Sequence, residues 1–489
     1  MGMANCEWAR VALQGVRFTS AAAGRRMSLL FVRSHWESIM RYLIIACVSF
    51  VLSSTFGEAA DLLRIAPFEA DVTPPLGSPL AYDPTREIET PLTARGIVLL
   101  GSGKPVVLCS VDWIGIAGGG RVAWRTELAE AAGTTVDRVA LHAVHQHDAP
   151  ECDFSTESLL AQQGLGGKKY DNAFALRAIG KVADGVKKAL EQPRQVTHIG
   201  IGKGEVKMVA SNRRVIGDDG KIKYWRGSTT GDPKARAEPE GLIDPDVRSI
   251  SFFAGEEPVA VLSYYATHPM SYYRTGKANA DFVGLARDAR EQETGVPHIY
   301  FTGAAGNIAA GKYNDGAHEN RQIFADRLKA GMALAWKDTK KHAVSADDVA
   351  WKSKGVALPP AKHLNADELV TTLENKEATF AQRFQAAREL AWLKHCDDGG
   401  KIDVACLHIG PASIVHMPGE LFIEYQLAAQ QMQPERFVAL AAYGEYSMGY
   451  IGTEESYPQG GYEVTRGASR VAPEVEKVLI SALRDITAQ

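Results

Sequence analysis

Three of the chain's 13 histidines fall in one short segment, as His142, His145 and His147 of LHAVHQHDAP. Imidazole is the commonest protein ligand for a transition metal and the side chain that most readily moves a proton near neutral pH. If RVALHAVH is a strand, its side chains alternate faces, so His145 and His147 share one face and His142 turns away. Asp148 and Pro150 end that strand and leave the pair at its C-terminal mouth, where ligands collect in layered α/β proteins. The spacing suits half of a metal site or a hydrogen-bonded structural pair.

Other segments end in groups of the same kind. PVAVLSYYATHPM closes a second apolar run on His268, a ligand or a ring satisfied by backbone. Asp281, in the nearby ANADFVG, is placed to orient such a ligand. In SIVHMPGELFIEYQ a third run gives way at Pro418-Gly419 to a helix expected to open on Glu420. A glutamate there serves either the helix terminus or an inward-facing site. AAYGEYSMGYIGTEESYPQGGYEVTRGAS carries Tyr443, Tyr446, Tyr450, Tyr457 and Tyr462. Phenols pack over sites, ligate metals when ionised, or donate to an oxyanion. The small residues of GAAGNIAAG, 303–311, would let backbone approach a ligand closely. Neither a G-x-x-x-x-G-K-[ST] loop nor a G-x-S-x-G elbow is present.

Strands must position these groups. Runs at 105–111, 138–144, 258–267, 297–303, 413–418 and 437–444 read as strands. Helical stripes recur at Phe174, Ile179, Val182, Val186 and Leu190, and at Ile323, Phe324, Leu328 and Met332. A last helix starting at Pro473 carries Val475, Leu479, Ala482 and Ile486. The fold class expected is α/β: layered mixed sheets flanked by helices, in a single large domain over 60–489. Two insertions interrupt it. Residues 203–247 are Gly-rich and charged, with a GDDGK hairpin turn; residues 361–395 read as one or two helices, a lid or a packing element.

Hydrophobic residues make up 45% and charged residues 23%, as in an ordinary globular protein. With 54 Lys and Arg against 58 Asp and Glu, no basic field exists to hold nucleic acid. From Met40 the sequence reads as an export signal: Arg41, an apolar stretch from Leu43 to Leu52, and small Gly57 and Ala59 before cleavage ahead of Ala60. Residues 1–59 are therefore expected to be a signal peptide with an upstream extension, and the protein to be extracytoplasmic. Cys109 reads as a buried thiol, while Cys396 and Cys406 bracket a loop that a disulfide could close.

In order along residues 63–470, these segments resemble the catalytic domain of the neutral (alkaline, non-lysosomal) ceramidases. That family's H-T-H-S-G-P matches His145-Gln146-His147-Asp148-Ala149-Pro150, and its N-W-F-A-x-H matches Ser263 to His268. Its G-D-N-K-G is echoed by Ala280 to Gly284, and its Gly-Glu helix start by Gly419-Glu420. Its Y-V-T-T-x-E-E-Y run is similar to Tyr450 through Tyr457, followed by Tyr462-Glu463 and Gly467-Ala468-Ser469. Asn212-Arg213 resembles its N-R-S-P segment.

The resemblance implies one zinc ion held by His145, His268, Glu420 and Tyr450. It implies His147 beside the metal-bound water, Tyr462 at the developing oxyanion and Arg213 lining the site. The activity implied is hydrolysis of a lipid amide, with possible contact to a membrane surface. Two departures bear on ceramide more than on the metal: Gly306-Asn307-Ile308-Ala309-Ala310 stands where the family has G-D-V-S-P, and Asp148 stands where it has Ser. Readings left open are a metal-dependent hydrolase of another ester or amide, and a non-catalytic exported binding protein.

Overall fold

The computed structural model describes residues 62–101 and 103–488, so the expected export signal lies outside the described residues. All six expected runs form strands: Val106–Val111, Val139–Ala143, Glu257–Tyr265, His298–Thr302, Ala412–His416 and Phe437–Ala441. They make three parallel pairs, 106–111 with 139–143, 257–265 with 298–302, and 412–416 with 437–441. Buried on both faces, such pairs require continuous apolar sequence.

Each pair lies at one edge of a larger sheet whose other pairings are antiparallel. The first sheet adds Thr93–Leu100, Arg64–Asp71 and Arg194–Gln195. The second adds Asp246–Ala254, His198–Glu205 and Lys340–Ala343; the third adds Ile402–Ile409 and Val349–Val356. The three sheets share a core in which Ile97 and Leu108 of the first meet Phe252 and Phe301 of the second and Leu407 and Ile414 of the third. Helices cover the outer faces. Asn172–Ala189 packs on Arg64–Asp71, Asn320–Lys337 on His198–Glu205, and Val475–Thr487 on Val349–Val356. This is a layered mixed α/β fold, in one unit over Ala60–Gln489.

His142 joins the sheets at the edges where the parallel pairs meet. From strand 139–143 its Nδ1 donates to Ala442 O at 2.6 Å, beyond the third sheet's edge strand. Its Nε2 accepts from Thr302 N at 3.0 Å in the second sheet. Both ring nitrogens are spent on these backbone contacts, so His142 is a structural histidine.

Three expectations need correction. Phe324, Leu328 and Met332 are buried, but Ile323 is exposed. One residue ahead of Phe324, it is rotated about 100° from the Phe324, Leu328 and Met332 stripe that faces the sheet. Cys396 and Cys406 are free thiols. Cys406 sits mid-strand in the core and Cys396 in the last turn of the helix Phe380–Asp397. Residues 203–205 and 246–247 belong to neighbouring antiparallel strands, so the long excursion is narrower than 203–247. It carries the expected hairpin, Arg214–Ile216 against Ile222–Trp225. The segment 361–395 forms the helices Ala366–Glu374 and Phe380–Asp397, which pack with Leu160, Leu165 and Tyr170 in a small core of their own.

Candidate metal centre

The parallel strands all end on one side, and the chain beyond them supplies the site. Strand 139–143 stops before His145, which has φ of 77°. His145 and His147 therefore lie in a loop, and strand alternation does not account for their meeting. A non-glycine residue in the left-handed region costs about 1–2 kcal/mol. Here that turn carries the His145 ring into the interior, where Tyr443 stacks on it at 4.4 Å between centroids.

Glu420 also sits differently from its expected place at a helix start. The helix begins at Ile423, its first N–H capped by Asn307 Oδ1 at 2.8 Å. Glu420–Leu421 instead forms a short parallel ladder with Tyr450–Ile451, pairing Glu420 with Tyr450. Gly419, at φ of 67°, permits the approach, since a Cβ there would meet Gly449 O at 2.8 Å. The GAAGNIAAG segment serves the same ladder: a Cβ on Gly306 would meet Glu420 O at 2.1 Å, so its small residues admit protein backbone rather than a ligand.

Four donors converge. His268 Nε2 lies 3.1 Å from Glu420 Oε2, and His145 Nε2 lies 3.3 Å from the same oxygen. Tyr450 Oη is 3.4 Å from His268 Nε2. Four ligands at about 2.0–2.1 Å in a tetrahedron stand about 3.3–3.4 Å apart. The three measured separations match those edges. The ring donors of His145, His147 and His268 also lie within 4.8 Å of one another, so a three-histidine set shares two of these ligands.

Hydrogen bonding fixes which nitrogens face inward. His145 Nδ1 donates to Ile114 O at 2.6 Å and His268 Nδ1 to Ala305 O at 2.6 Å. A carbonyl only accepts, so Nδ1 carries the proton and the lone pair of a metal-ligating ring would lie at Nε2, towards Glu420. Burial holds His268 below its ordinary pKa, in the neutral form. Two lone pairs facing a carboxylate in a buried site call for a cation. His145 Nε2 has no hydrogen-bond partner. The residues present fit a divalent metal.

His147 differs from the other two rings. Its Nδ1 lies 3.0 Å from Tyr82 Oη, a hydroxyl that can donate or accept, so neither tautomer is locked. Its Nε2 is unpartnered, and burial followed by the neighbouring His145 and His268 pushes its pKa down.

Arg213 faces the site, whereas Arg214 turns away to Glu463 and Ser456 O. Arg213 Nη1 donates to Tyr450 Oη at 3.0 Å, and its Nε pairs with Glu463 at 3.1 Å. Burial raises the Tyr450 pKa while Arg213 opposes the rise. Tyr462 stands at the rim, 51% exposed, with its ring 5.7 Å from that of Tyr450. Asp281 does not orient His268; it accepts from the N–H groups of Ser271 and Phe282.

No family model matches this sequence, and no curated protein sequence matches it. Solved structures do. The neutral ceramidase from Pseudomonas aeruginosa superposes with a TM-score of 0.64 at 17% identity, over 87% of this chain and 74% of that one. A ceramidase complexed with C2 gives 0.64 at 16%, over 87% and 75%. The chain has a ceramidase-like fold.

Several groups at this centre have no sequence signature. Tyr82 comes from a turn, and Tyr273 packs against both Tyr82 and His147 at 5.1 and 5.3 Å. Ile114 and Ala305 act through backbone carbonyls, which any residue could supply. Trp225, from the hairpin, stacks under the Arg213 guanidinium at 4.9 Å and donates to Glu463.

Proposed function

We propose that this chain is an exported zinc-dependent hydrolase that cleaves a linear amide, an N-acyl lipid or a related N-acyl compound. What carries the reading is the chain of three close separations, 3.1–3.4 Å, that links four donor atoms from separate segments at the edge length of a tetrahedral site. The ceramidase-like fold and the ordered resemblance support the choice of an amide.

In this reading His145, His268, Glu420 and Tyr450 hold the ion. Zinc there would supply Lewis acidity, polarising a carbonyl and making water acidic enough to attack near neutral pH. The chain's own groups do the rest. Arg213 donates to the Tyr450 oxygen and favours its ionised, ligating form. Unlocked by Tyr82, His147 accepts the proton that water loses and returns it to the nitrogen as the C–N bond breaks. The products are a carboxylate and an amine. Tyr462 at the rim is placed to donate to the carbonyl oxygen as charge develops there. Removal of a signal ahead of Ala60 would deliver the enzyme outside the cytoplasm, where it meets amphiphilic substrates at membrane surfaces.

The test is metal analysis joined to a substrate comparison. The purified chain should hold close to one equivalent of zinc and cleave fluorescent N-acyl sphingosine or another N-acyl amine. Less than a tenth of an equivalent after reconstitution rejects the metal reading. Turnover of simple acyl esters alone rejects the amide.

A further inference from the structure

Helix Phe380–Asp397 brings one cation to the edge of the metal centre. Arg388 lies with its guanidinium 5.4 Å from the Tyr446 ring centre, and the Tyr446 ring lies 5.3 Å from that of His145. A single aromatic ring thus separates Arg388 from a metal donor. Its one close charged partner among the described residues is Glu151, with Nη2 at 3.3 Å from Oε1. Glu151 already pairs with Lys169 at 3.2 Å, and its Oε1 accepts no hydrogen bond. Among the described residues Arg388 makes no hydrogen bond, although its side chain is only 17% exposed. The free N–H groups of Arg388 are open to solvent, whereas a guanidinium sealed from it spends its donors on carbonyls or carboxylates. Arg226 does so here, with four carbonyls.

We infer that Arg388 anchors a carboxylate on the substrate, so that the amide cleaved is an N-acyl amino acid. The inference rests on the amidase reading of the adjacent centre. With Nη2 turned to Glu151, the Nε and Nη1 N–H groups remain to grip a carboxylate by two parallel bonds. Neighbouring charges balance: Arg388, Lys169 and Arg470 stand among Glu151, Asp153 and Glu389. That balance suits a monoanion better than a dianionic phosphate. Glycine-like amines place a carboxylate a few bonds from the scissile nitrogen, as a one-ring separation requires.

The test uses the zinc-loaded full chain and a ketomethylene analogue of N-octanoylglycine, which cannot be hydrolysed. Calorimetry should show the acid binding about tenfold or more tightly than its neutral carboxamide, as expected for a charge-assisted hydrogen-bond pair. Arg388→Met should erase that preference while keeping zinc content and the affinity for the carboxamide. A merely structural Arg388 would change stability and leave the preference alone. Should Arg388→Met not fold, Arg388→Lys keeps the charge without the fork and should reduce the preference. Equal binding of acid and carboxamide by the unmodified chain overturns the inference. So does an undiminished preference in the variant that folds, or tighter binding of a matched phosphate monoester. Acid-selective binding without hydrolysis of N-octanoylglycine or its carboxamide would instead reject amide hydrolysis and retain the anchor.

Discussion

Glu420 and Tyr450 are register partners in a parallel ladder of two residues each, so a carboxylate and a phenol from distant segments leave the backbone side by side. Their common neighbour is His268, whose Nε2 lies 3.1 Å from the carboxylate and 3.4 Å from the phenol. Backbone pairing brings these two side chains to the same place, beside His268. Such preorganisation keeps a metal site selective and tight.

In the proposed mechanism the contrast between locked and unlocked imidazoles separates ligands from the proton carrier. His145→Ala should abolish both zinc retention and activity. His147→Ala should keep close to one equivalent of zinc and lower kcat by about 10²–10⁴-fold, the range for a lost general acid–base group. Metal content by mass spectrometry beside steady-state kinetics decides it. If His147→Ala lost the metal and His145→Ala kept it, the three-histidine donor set would replace the one proposed.

Tyr82 acts on that carrier through its hydroxyl. Tyr82→Phe keeps the ring against Tyr273 and removes the 3.0 Å contact to His147 Nδ1. Zinc should be unaffected, kcat should fall about tenfold, and the pH–rate profile should shift. An unchanged profile would show that Tyr82 contributes packing alone.

Arg213 supports a ligand from behind. Replacing it by Met leaves the Tyr450 oxygen without its donor and Glu463 without one of its cations. Loss of an outer partner of this kind typically weakens metal affinity about 10–100-fold. Competition against a chelator measures it. Arg213→Lys should recover little, because the ammonium cannot reach both partners at once.

The legibility of this molecule in its sequence follows burial. The six strands evident from composition are the six that form the parallel pairs, because burial on both faces leaves uninterrupted apolar runs. Antiparallel strands such as His198–Glu205 and Val349–Val356 carry Lys and Gly and many exposed or half-buried positions, so they pass for loops. Among the site residues, His145 and His268 follow apolar runs, whereas Tyr450 is one of five neighbouring tyrosines that local spacing does not separate, and only the family resemblance singles it out. Glu420 was placed in a helix because Pro-Gly-Glu is a common helix entry; only the long-range pairing with Tyr450 puts it in a ladder. Tyr82 and Arg388 reach the centre by tertiary packing, which leaves no local pattern. Sequence leaves the pairing of Cys396 with Cys406 open for a similar reason: spacing along the chain says nothing of a thiol sealed mid-strand in the core.

Stability should fall steeply in mild acid, and the cause is buried histidine. His142 is held neutral, its Nδ1 donating to Ala442 O and its Nε2 accepting from Thr302 N. Burial pushes its pKa down to about 3, and does the same for His416. Unfolded, both rings return to about 6.5. Between pH 6.5 and 3 the unfolded chain therefore binds protons that the folded chain does not, and stability is lost as pH falls. The slope approaches about 1.4 kcal/mol per pH unit for each ring, a large fraction of a net stability of about 5–15 kcal/mol. His147 and His268, also lowered, act in the same direction. Urea midpoints between pH 7 and 4 should drop accordingly. His416 isolates one ring, since its Nε2 has no partner and it packs against Phe301 and Trp351. His416→Phe should remove about one ring's share of the slope. A midpoint that stays level from pH 7 to 4.5, or a slope indifferent to His416→Phe, would mean that these rings take up protons without unfolding the chain.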